Sequence, residues 1–507
     1  MATIVIDGES LTLENLYRLV FDFPESQAEI PASVRERMAA SRAVIDRLAE
    51  SEAAVYGVNT GFGKLATTRI SHDEIRHLQL NLVRSHACGV GEPLGEAATR
   101  AMLALRANAL AKGFSGVRPI VAETLLAMLN RNVLPVIPSQ GSVGASGDLA
   151  PLAHLALAAI GEGEASFDGR RMAGGEALRA SGIAPLVLQA KEGLALLNGT
   201  QAMLALVALA VRDAEIAADT ADVAASLSLD ALRGSPVAFD ERIADARPHP
   251  GHARVAENLR RLNRGSEIRE SHRAPERDPR VQDPYSLRCA PQVHGAARDA
   301  IARVRATAEI ELNSATDNPL VFADSGDVLS GGNFHGQPLA MAADHLALAL
   351  ATLGGISERR TEQMTNPQSS QLPAFLVRHA GLNSGFMILQ VTAAALASET
   401  KALAAPHSAD SIPTSANQED YVSMGMGAAR RLEPMIANLR NILAIELLAA
   451  AQGIDLLAPL RPGTEARRAH EMIRTLSKTL DADRSLSADI ARVAGSVARG
   501  EFAALLG

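Results

Sequence analysis

Long stretches with few helix-breaking residues constrain this chain more than any other feature of its sequence. The stretch "QAMLALVALAVRDAEIAADTADVAASLSLDAL", residues 201–232, contains neither Gly nor Pro, and its apolar residues recur at helical spacing. The same pattern recurs in residues 292–314, 338–364, 385–403 and 430–457. Helices of this length exceed the usual mean of about 11 residues and are typical of helical bundles. The sequence therefore predicts a mainly α fold built on a long-helix bundle.

Strand signals are few and short. They occur in "TIVID" near the start, in "EASFDGRRMAG", and in "PLVFADSGDVLSGG", where Ser325-Gly326-Asp327 is typical of a hairpin turn. We place a boundary at Asn198, between a smaller mixed N-terminal portion, residues 1–197, and the long-helix bundle with a C-terminal helical region, residues 198–507. The polar segment 263–286 is expected to be a long loop that is functional or mobile.

The composition narrows the range of functions. The 507 residues carry a formal net charge of −8 and include 11 Phe, 4 Tyr and no Trp, so no basic, aromatic-rich surface for nucleic acid is expected. The first residues lack a basic region followed by an apolar run, and Glu446 and Asp455 interrupt the most apolar C-terminal stretch. We therefore expect neither a secretory signal nor a membrane span. Two cysteines favour a cytoplasmic location, and the 13 His include no HExxH pattern, so no metal is expected.

A glycine-rich loop, "SQGSVGASGDLAPLAH" at residues 139–154, places Ala145, Ser146 and Gly147 just before an apolar helix. A hydrolase nucleophile needs Gly-x-Ser-x-Gly, whereas Gly147 directly follows Ser146 here. A phosphate-binding loop needs Gly-Lys-Ser or Gly-Lys-Thr, which this segment lacks. An anion-binding loop before a helix therefore stays only a minor alternative, beside an ordinary glycine turn and chemistry on the backbone itself.

Backbone chemistry would require a very tight turn. The small residues Ala145 and Gly147 permit the Gly147 amide nitrogen to approach the Ala145 carbonyl carbon. Loss of water from the resulting ring and from the Ser146 side chain would leave a conjugated carbon–carbon double bond, which is a strong electrophile. Asp148, at the expected N-cap of the next helix, would direct the positive helix end toward this group.

The loop resembles the cofactor-forming segment of the histidine and aromatic amino acid ammonia-lyases. That family builds 4-methylidene-imidazol-5-one (MIO) from an Ala-Ser-Gly tripeptide, here Ala145-Ser146-Gly147. Further segments are similar to the family's motifs and occur in the family's order between Tyr56 and Leu457. They are "YGVNTGFG" (56–63), "GLALLNGTQ" (193–201), "VQDPYSLRC" (281–289), "TDNPLVF" (316–322), "SGGNFHG" (330–336) and "PTSANQED" (413–420).

The resemblance implies a fold of the fumarase/aspartase-like type, a homotetramer with shared active sites, and non-oxidative elimination of ammonia from an amino acid. It implies Tyr56 as the base that takes the β-proton, a group that must be helped toward phenolate by positive helix ends or cations. Tyr285 would support proton transfer, and Arg288 would bind the substrate carboxylate. Asn198 and Gln282 would hydrogen-bond the MIO group and substrate, and Phe334 would pack near the ring.

Three of these residues also have a plainer interpretation. Tyr56 could pack a glycine-rich turn, Arg288 could be a surface charge, and Asn198 could cap the helix that follows it.

The substrate is indicated by two positions that resemble the family members acting on histidine. The pair Ser85-His86 offers a ring that can exchange hydrogen bonds with an imidazole, and Glu419 offers a carboxylate that a phenyl ring could not use. The resemblance thus implies conversion of L-histidine to trans-urocanate, the first step of histidine degradation, with no external cofactor.

Two alternatives stay open. Tyr421 departs from the histidine enzymes, which usually have His there, so a tyrosine or phenylalanine ammonia-lyase or a 2,3-aminomutase with the same chemistry is the first alternative. The second, from another class, is a non-catalytic homologue that binds an amino acid.

Overall fold

The computed structural model describes residues 2–51, 55–61, 63–65, 68–274, 276, 278 and 280–506. Phe62 in the Tyr56 motif, and Pro275, Arg277 and Pro279 in the polar segment 263–286, lie outside the described residues. The α-helices of the described part are α1 Leu13–Phe21, α2 Ala32–Glu50, α3 Ile75–His86, α4 Glu96–Ala111, α5 Pro119–Asn130, α6 Leu149–Ala159, α7 Gly174–Ala180, α8 Glu192–Leu197, α9 Gln201–Ala231, α10 Glu241–Ala246, α11 Pro250–Leu262, α12 Glu267–Ser271, α13 Tyr285–Arg288, α14 Ala290–Leu312, α15 Gln337–Thr365, α16 Pro367–Ser370, α17 Met387–Leu403, α18 Gly425–Arg430, α19 Leu432–Leu456, α20 Thr464–Leu476 and α21 Ser487–Ala498.

The predicted mainly α fold is confirmed, and the five long helices lie where the sequence places them. The stretch predicted over 201–232 forms α9, and those predicted over 292–314 and 338–364 form α14 and α15. Local signals explain several shorter helices. Thr12 accepts a hydrogen bond from Asn15 N at the start of α1, and Pro119 stands in the first turn of α5, where its missing N–H costs no intrahelical bond.

The strands form four small sheets. They are β1 Ala2–Val5, β2 Ser26–Glu29, β3 Val90–Pro93, β4 Leu134–Pro135, β5 Pro138–Gln140, β6 Glu164–Phe167, β7 Arg170–Ala173, β8 Leu320–Phe322 and β9 Asp327–Leu329. β6 pairs with β7 and β8 with β9 in antiparallel hairpins, as predicted, and Gly326 has a φ of +78° in the second turn. The sequence did not predict β2, which pairs in parallel with β1, or the pairing of β3 with β5.

The chain divides into two compact units. The first comprises Met1–Leu209, Arg305–Asp344 and Pro406–Arg430, and the second comprises Ala210–Val304, His345–Ala405 and Arg431–Gly507. Each unit is therefore assembled from three separate segments of the chain. The boundary that we place at Asn198 stays a prediction.

Each unit has its own helical core. In the first, α4 packs against α5, and α6 packs against α3 and α8. In the second, α19 packs against α17 and α21, and a buried carboxylate, Glu446, stands in the middle of α19. Arg360 and the hydroxyls of Ser228 and Ser357 donate to that carboxylate, so the charge that interrupts the apolar stretch is fully paired.

Two long apolar segments, Gln337–Thr365 and Gly425–Leu456, have the length and hydropathy of a membrane span. Most of each is buried inside the protein, as in the core helices of a helical bundle. The polar segment 263–286 is not a continuous loop, because α12 forms within it after Ser266 caps the Arg269 amide.

Candidate active site

A cavity of about 1010 Å³ lies in the first unit and gathers most of the residues predicted for the site. The predicted residues that line it are Tyr56, Ser85, His86, Ala145, Ser146, Asn198, Phe334 and Glu419. They come from six segments that are separate in sequence: the chain between α2 and α3, the end of α3, the loop before α6, the end of α8, and the loops before α15 and α18. The fold therefore brings six distant segments to one cavity wall.

The glycine-rich loop ends in a close backbone contact. Gly147 has a φ of +73° and lies so near Gly199 that a Cβ on Gly147 would be 2.2 Å from the Gly199 oxygen. The next amide, Asp148 N, donates to the same oxygen at 2.7 Å. A side chain at position 147 would therefore clash with the Gly199 backbone and break the contact between the two segments.

A buried arginine backs this contact from the other side. A Cβ on Gly199 would lie 2.2 Å from Arg106 Nη1, which donates to Gln201 Oε1 at 2.6 Å. Gln201 Nε2 in turn donates to the Thr316 hydroxyl at 2.9 Å. Burial lowers the pKa of Arg106 to about 10, and the guanidinium therefore remains charged at neutral pH. The wall behind the loop is thus a rigid polar layer.

Asp148 does not cap α6 with its side chain, contrary to the sequence interpretation. It occupies the N-cap position, but its carboxylate accepts from the Ser142 hydroxyl at 2.8 Å and from the Met203 amide of α9 at 2.8 Å. Burial raises the pKa of Asp148 to about 7, and these hydrogen bonds oppose that rise. Asp148 consequently fastens the loop to the start of α9 rather than to its own helix.

Asn198 contacts the tripeptide directly. Its Nδ2 donates to the Ser146 carbonyl oxygen at 2.9 Å, so the side chain does not serve the alternative role of helix cap. Its Oδ1 is buried and has no hydrogen-bond partner among the described residues. An unpaired buried acceptor beside the tripeptide is a costly feature that a donor on a bound molecule would relieve.

Tyr56 lines the cavity. The sequence interpretation required a positive environment around its hydroxyl, and the groups that act on it here are mostly negative. Burial raises the pKa of Tyr56, and the carboxylates of Glu419 and Asp317 raise it further, while the Gly63 amide, 3.4 Å from the hydroxyl, lowers it. The prediction that positive groups favour the phenolate is wrong for this unit. Asp317 itself is neutralised by Lys191, whose Nζ lies 2.7 Å from its Oδ2 in a fully buried ion pair.

His86 and Glu419 present acceptors to the cavity. Burial lowers the pKa of His86, which is therefore neutral at pH 7. Its Nδ1 lies 2.9 Å from the Leu82 carbonyl oxygen and donates to it, so Nε2 is left as an acceptor. Glu419 takes a hydrogen bond from the Thr414 hydroxyl at 2.6 Å on Oε2. The pair can receive N–H donors from a ring.

The sequence missed several lining residues although it quoted their motifs. Asn318, Ser330, His335 and Ser415 line the cavity and belong to the segments "TDNPLVF", "SGGNFHG" and "PTSANQED". The Tyr421 ring stacks on His335 at a centroid distance of 6.2 Å, and Tyr421 is 57% exposed. Their position in motifs that resemble the family was the signal that could have identified them. The contact between the His335 and Tyr421 rings could not be predicted from the sequence.

Three predicted residues lie in the second unit instead. Gln282 and Tyr285 line a separate cavity of about 400 Å³, and Arg288 places its guanidinium carbon 4.6 Å from the Tyr285 ring centroid. Tyr285 is 70% exposed, and Arg288 Nε is buried without a hydrogen-bond partner among the described residues. None of these three is among the residues that line the cavity of the first unit, and their roles stay predictions.

No group of three His, Cys, Asp or Glu side chains suited to a metal ion lies within the described ranges. The described cavity offers groups for hydrogen bonding, the phenol of Tyr56 and the Ala145-Ser146 part of the tripeptide.

Comparisons with known proteins agree with this geometry. The family model described as aromatic amino acid lyase matches residues 11–475. A curated relative named histidine ammonia-lyase, from Koribacter versatilis, is 54% identical over 99% of both chains. Among solved structures, histidine ammonia-lyase from Trypanosoma cruzi has a TM-score of 0.92 and 45% identity, covering 100% of this chain and 95% of that one. Tyrosine aminomutase from Streptomyces globisporus has a TM-score of 0.94 and 40% identity, covering 99% and 98%.

Proposed function

Because the chain belongs to the aromatic amino acid lyase family, we propose that it eliminates ammonia from L-histidine to give trans-urocanate, the first step of histidine degradation. One observation carries the proposal: a single cavity holds Tyr56, the Ala145-Ser146 wall, and the acceptor pair His86 and Glu419. The relatives named histidine ammonia-lyase support the same substrate.

The residues at the tripeptide fit an MIO group formed from Ala145-Ser146-Gly147. Gly147 has no room for a side chain against Gly199, and Asn198 Nδ2 already donates to the Ser146 oxygen, which would be the carbonyl of the ring. Asn198 Oδ1 is left for a donor on the substrate. When formed, the group supplies an electrophilic methylidene carbon that makes the amino nitrogen a better leaving group.

The side chains of the cavity divide the remaining work. His86 Nε2 and Glu419 are the acceptors for the imidazole ring, which donates one N–H hydrogen bond when neutral and two when protonated, and they so orient the substrate. Tyr56 takes the proton from the β-carbon, a type of catalysis worth about 10²- to 10⁴-fold in rate. Phe334 packs beside the ring and excludes water.

We propose further that the active enzyme is a cytoplasmic homotetramer whose sites combine residues of different subunits, including Gln282, Tyr285 and Arg288. Two observations support assembly. Tyr285 is 70% exposed in a single chain although the proposed chemistry requires it near substrate. The helix α17 is apolar, yet Ile388 and Val391, one turn apart, are 65% and 51% exposed.

Intact mass and ultraviolet absorbance test the proposal. The folded chain is expected to be lighter than its sequence by two waters, and absorbance should rise as urocanate forms from added L-histidine. Ser146→Ala should keep its full mass and fold while losing most activity. An unmodified wild-type mass would rule out the MIO enzyme altogether.

A substrate panel separates the alternatives. Tyr421, which stacks on His335 at the cavity edge, is the observation that favours a broader aromatic range. Turnover of tyrosine or phenylalanine without histidine would move the assignment to an ammonia-lyase or 2,3-aminomutase for those substrates. Binding of an amino acid without turnover would indicate a non-catalytic homologue.

A further inference from the structure

We propose that Ser423 is a positioning residue for the ring closure of Ala145-Ser146-Gly147. This inference rests on the proposed function, because it concerns how the chain would form its own electrophile. It starts from the segment 423–425, which we call the clasp, since it grips the backbone just before the tripeptide.

The clasp holds two consecutive carbonyl groups of the loop. The Ser423 hydroxyl donates to the Gly144 oxygen at 2.8 Å, and the Met424 amide donates to the Val143 oxygen at 2.8 Å. The Gly336 amide, at the start of α15, gives the Gly144 oxygen a second hydrogen bond at 3.1 Å. Both lone pairs of the Gly144 carbonyl are thereby occupied, and the peptide plane that leads into Ala145 is fixed.

The orientation of the Ser423 hydroxyl is fixed by its partners. Its oxygen accepts from the Gly425 amide at 3.1 Å, which leaves its hydrogen for Gly144, and the side chain is fully buried. Gly144 has a φ of +65°, and a Cβ there would lie 2.3 Å from Ser423 Oγ. The loop has a glycine at this position so that Ser423 can approach.

A second hydroxyl closes the loop across the tripeptide. Ser142 Oγ accepts from the Gly144 amide at 3.1 Å and donates to the Asp148 carboxylate at 2.8 Å. The residues immediately before and after the tripeptide are therefore joined through one oxygen atom. Together with the contact of Gly147 on Gly199, this fixes both ends of the reacting segment.

Ring closure needs such restraint. A bond forms between the Gly147 nitrogen and the Ala145 carbonyl carbon, and the carbonyl oxygen leaves as water with the amide protons of Ser146 and Gly147. The Ser146 Cβ–O bond then breaks, and its hydroxyl leaves as a second water with the Cα proton, so no oxidant is required. Fixing Gly144 holds the Ala145 carbonyl in line with the incoming nitrogen, and orientation of this kind raises the rates of intramolecular reactions.

The test follows dehydration itself rather than turnover. Chains are made by cell-free synthesis, and the intact mass of the soluble, folded fraction is measured over time for wild type and Ser423→Ala. We expect Ser423→Ala to lose its two waters about tenfold more slowly, which corresponds to about 1.4 kcal/mol and to the loss of one buried hydrogen bond. Ser423→Cys, of similar size but a weak donor, should fall between the two.

Ser370→Ala is the matched control. Ser370 is also buried, donates to a backbone carbonyl, Asn366 O, at 2.9 Å and accepts from the amide two residues on, Leu372 N, at 3.1 Å, but it belongs to the second unit. Ser370→Ala should destabilise the folded chain about as much as Ser423→Ala does, without slowing dehydration of the tripeptide. Equal slowing by Ser370→Ala, or a wild-type rate in Ser423→Ala, would overturn the proposal.

Two further outcomes are also decisive. If Ser423→Ala does not fold, Ser423→Cys decides the question by the same mass measurement. If the wild-type chain never loses water, the proposed function itself fails, and the two failures are thereby distinguished.

Discussion

At the scale of single residues, the environment of Tyr56 is the unexpected feature. A general base acts in its deprotonated form, yet burial and the nearby carboxylates of Glu419 and Asp317 raise the pKa of this phenol. In the environment that the first unit provides, only a small fraction of Tyr56 is therefore in the phenolate form at neutral pH. Activity should therefore climb as the pH rises into the alkaline range.

Glu419→Gln should shift the rise of activity with pH to lower pH. Removing a negative neighbour removes one of the causes that raise the pKa of Tyr56, so the phenolate forms at lower pH. The rising limb of kcat against pH is expected to shift to lower pH, whatever happens to KM through lost contact with the imidazole. Asp327→Asn, at the exposed first residue of β9, is the control and should leave the limb in place. A limb that stays still or moves upward in Glu419→Gln would contradict this electrostatic account.

Tyr56→Phe tests the base itself. The phenyl ring keeps the packing but carries no ionisable group, so kcat should fall by about 10²- to 10⁴-fold with little change in KM. Tyr17→Phe is the matched substitution, because the Tyr17 hydroxyl donates to Ala208 O at 2.9 Å outside the cavity. Steady-state kinetics of both variants decide the point, and turnover retained in Tyr56→Phe would exclude Tyr56 as the base.

Sequence motifs identified the residues of the cavity but not their partners. Tyr56, His86, Asn198 and Glu419 were predicted because each stands in a recognisable segment, and one cavity contains all four. The direction of the Tyr56 pKa shift was mispredicted, because burial and the carboxylates of Glu419 and Asp317, which the fold brings near the phenol, raise the pKa. The Asp148 carboxylate was assigned to the wrong helix for the same reason: its partners, Ser142 and Met203, are set by tertiary packing.

At the scale of elements, helix prediction succeeded where the periodic pattern was long. The ends of α9, α14 and α19 fall within a few residues of the stretches that predicted them. Short strands that pair with distant chain were missed: β2 has four residues and is held by parallel pairing with β1, which leaves no local pattern to read.

The outer face of α17 makes a prediction of its own. Ile388→Asp together with Val391→Asp places two charges on an exposed apolar face, so a single chain should still fold while its assembly weakens. Light scattering coupled to size exclusion should report a smaller species than the wild type at equal concentration. Val237→Asp, at an apolar side chain that is 67% exposed elsewhere in the second unit, should leave the mass unchanged. An unchanged mass in the α17 variant would remove this face from the proposed interface.

At the scale of the whole molecule, a buried acid links stability to pH. Burial raises the pKa of Asp230 to about 6 from an ordinary 3.8, although Ser266 and the Gly463 amide donate to its carboxylate. The folded chain therefore holds a proton that the unfolded chain releases between about pH 4 and 6, so this group's contribution to stability is lost as the pH rises through that window.

Asp230→Asn should remove that contribution, which amounts to at most about 3 kcal/mol. The free energy of unfolding at pH 7 minus that at pH 4.5, measured by denaturant titration, should be more positive in the variant than in the wild type. Asp245→Asn, at an exposed position in α10, should keep the wild-type difference. A more negative difference in Asp230→Asn than in the wild type would show that the sign is wrong.

The sequence predicts a single boundary at Asn198 from a change of pattern along the chain, and that boundary stays a prediction. Each of the two compact units combines three separate stretches of chain, and no local sequence pattern indicates this. Helical periodicity identifies the elements; it carries no information on which distant segments share a core.

The clasp also sets a time for maturation. The groups that hold the loop carbonyls come from residues 336, 423 and 424 of a chain of 507, so none of them has left the ribosome when the tripeptide at 145–147 first emerges. A nascent chain halted before residue 424 lacks the Met424 amide of the clasp, so its tripeptide should lose water more slowly than that of the released chain. The electrophile would thus be installed only after most of the polypeptide has been synthesised and folded, which spares the growing chain from a reactive carbon during translation.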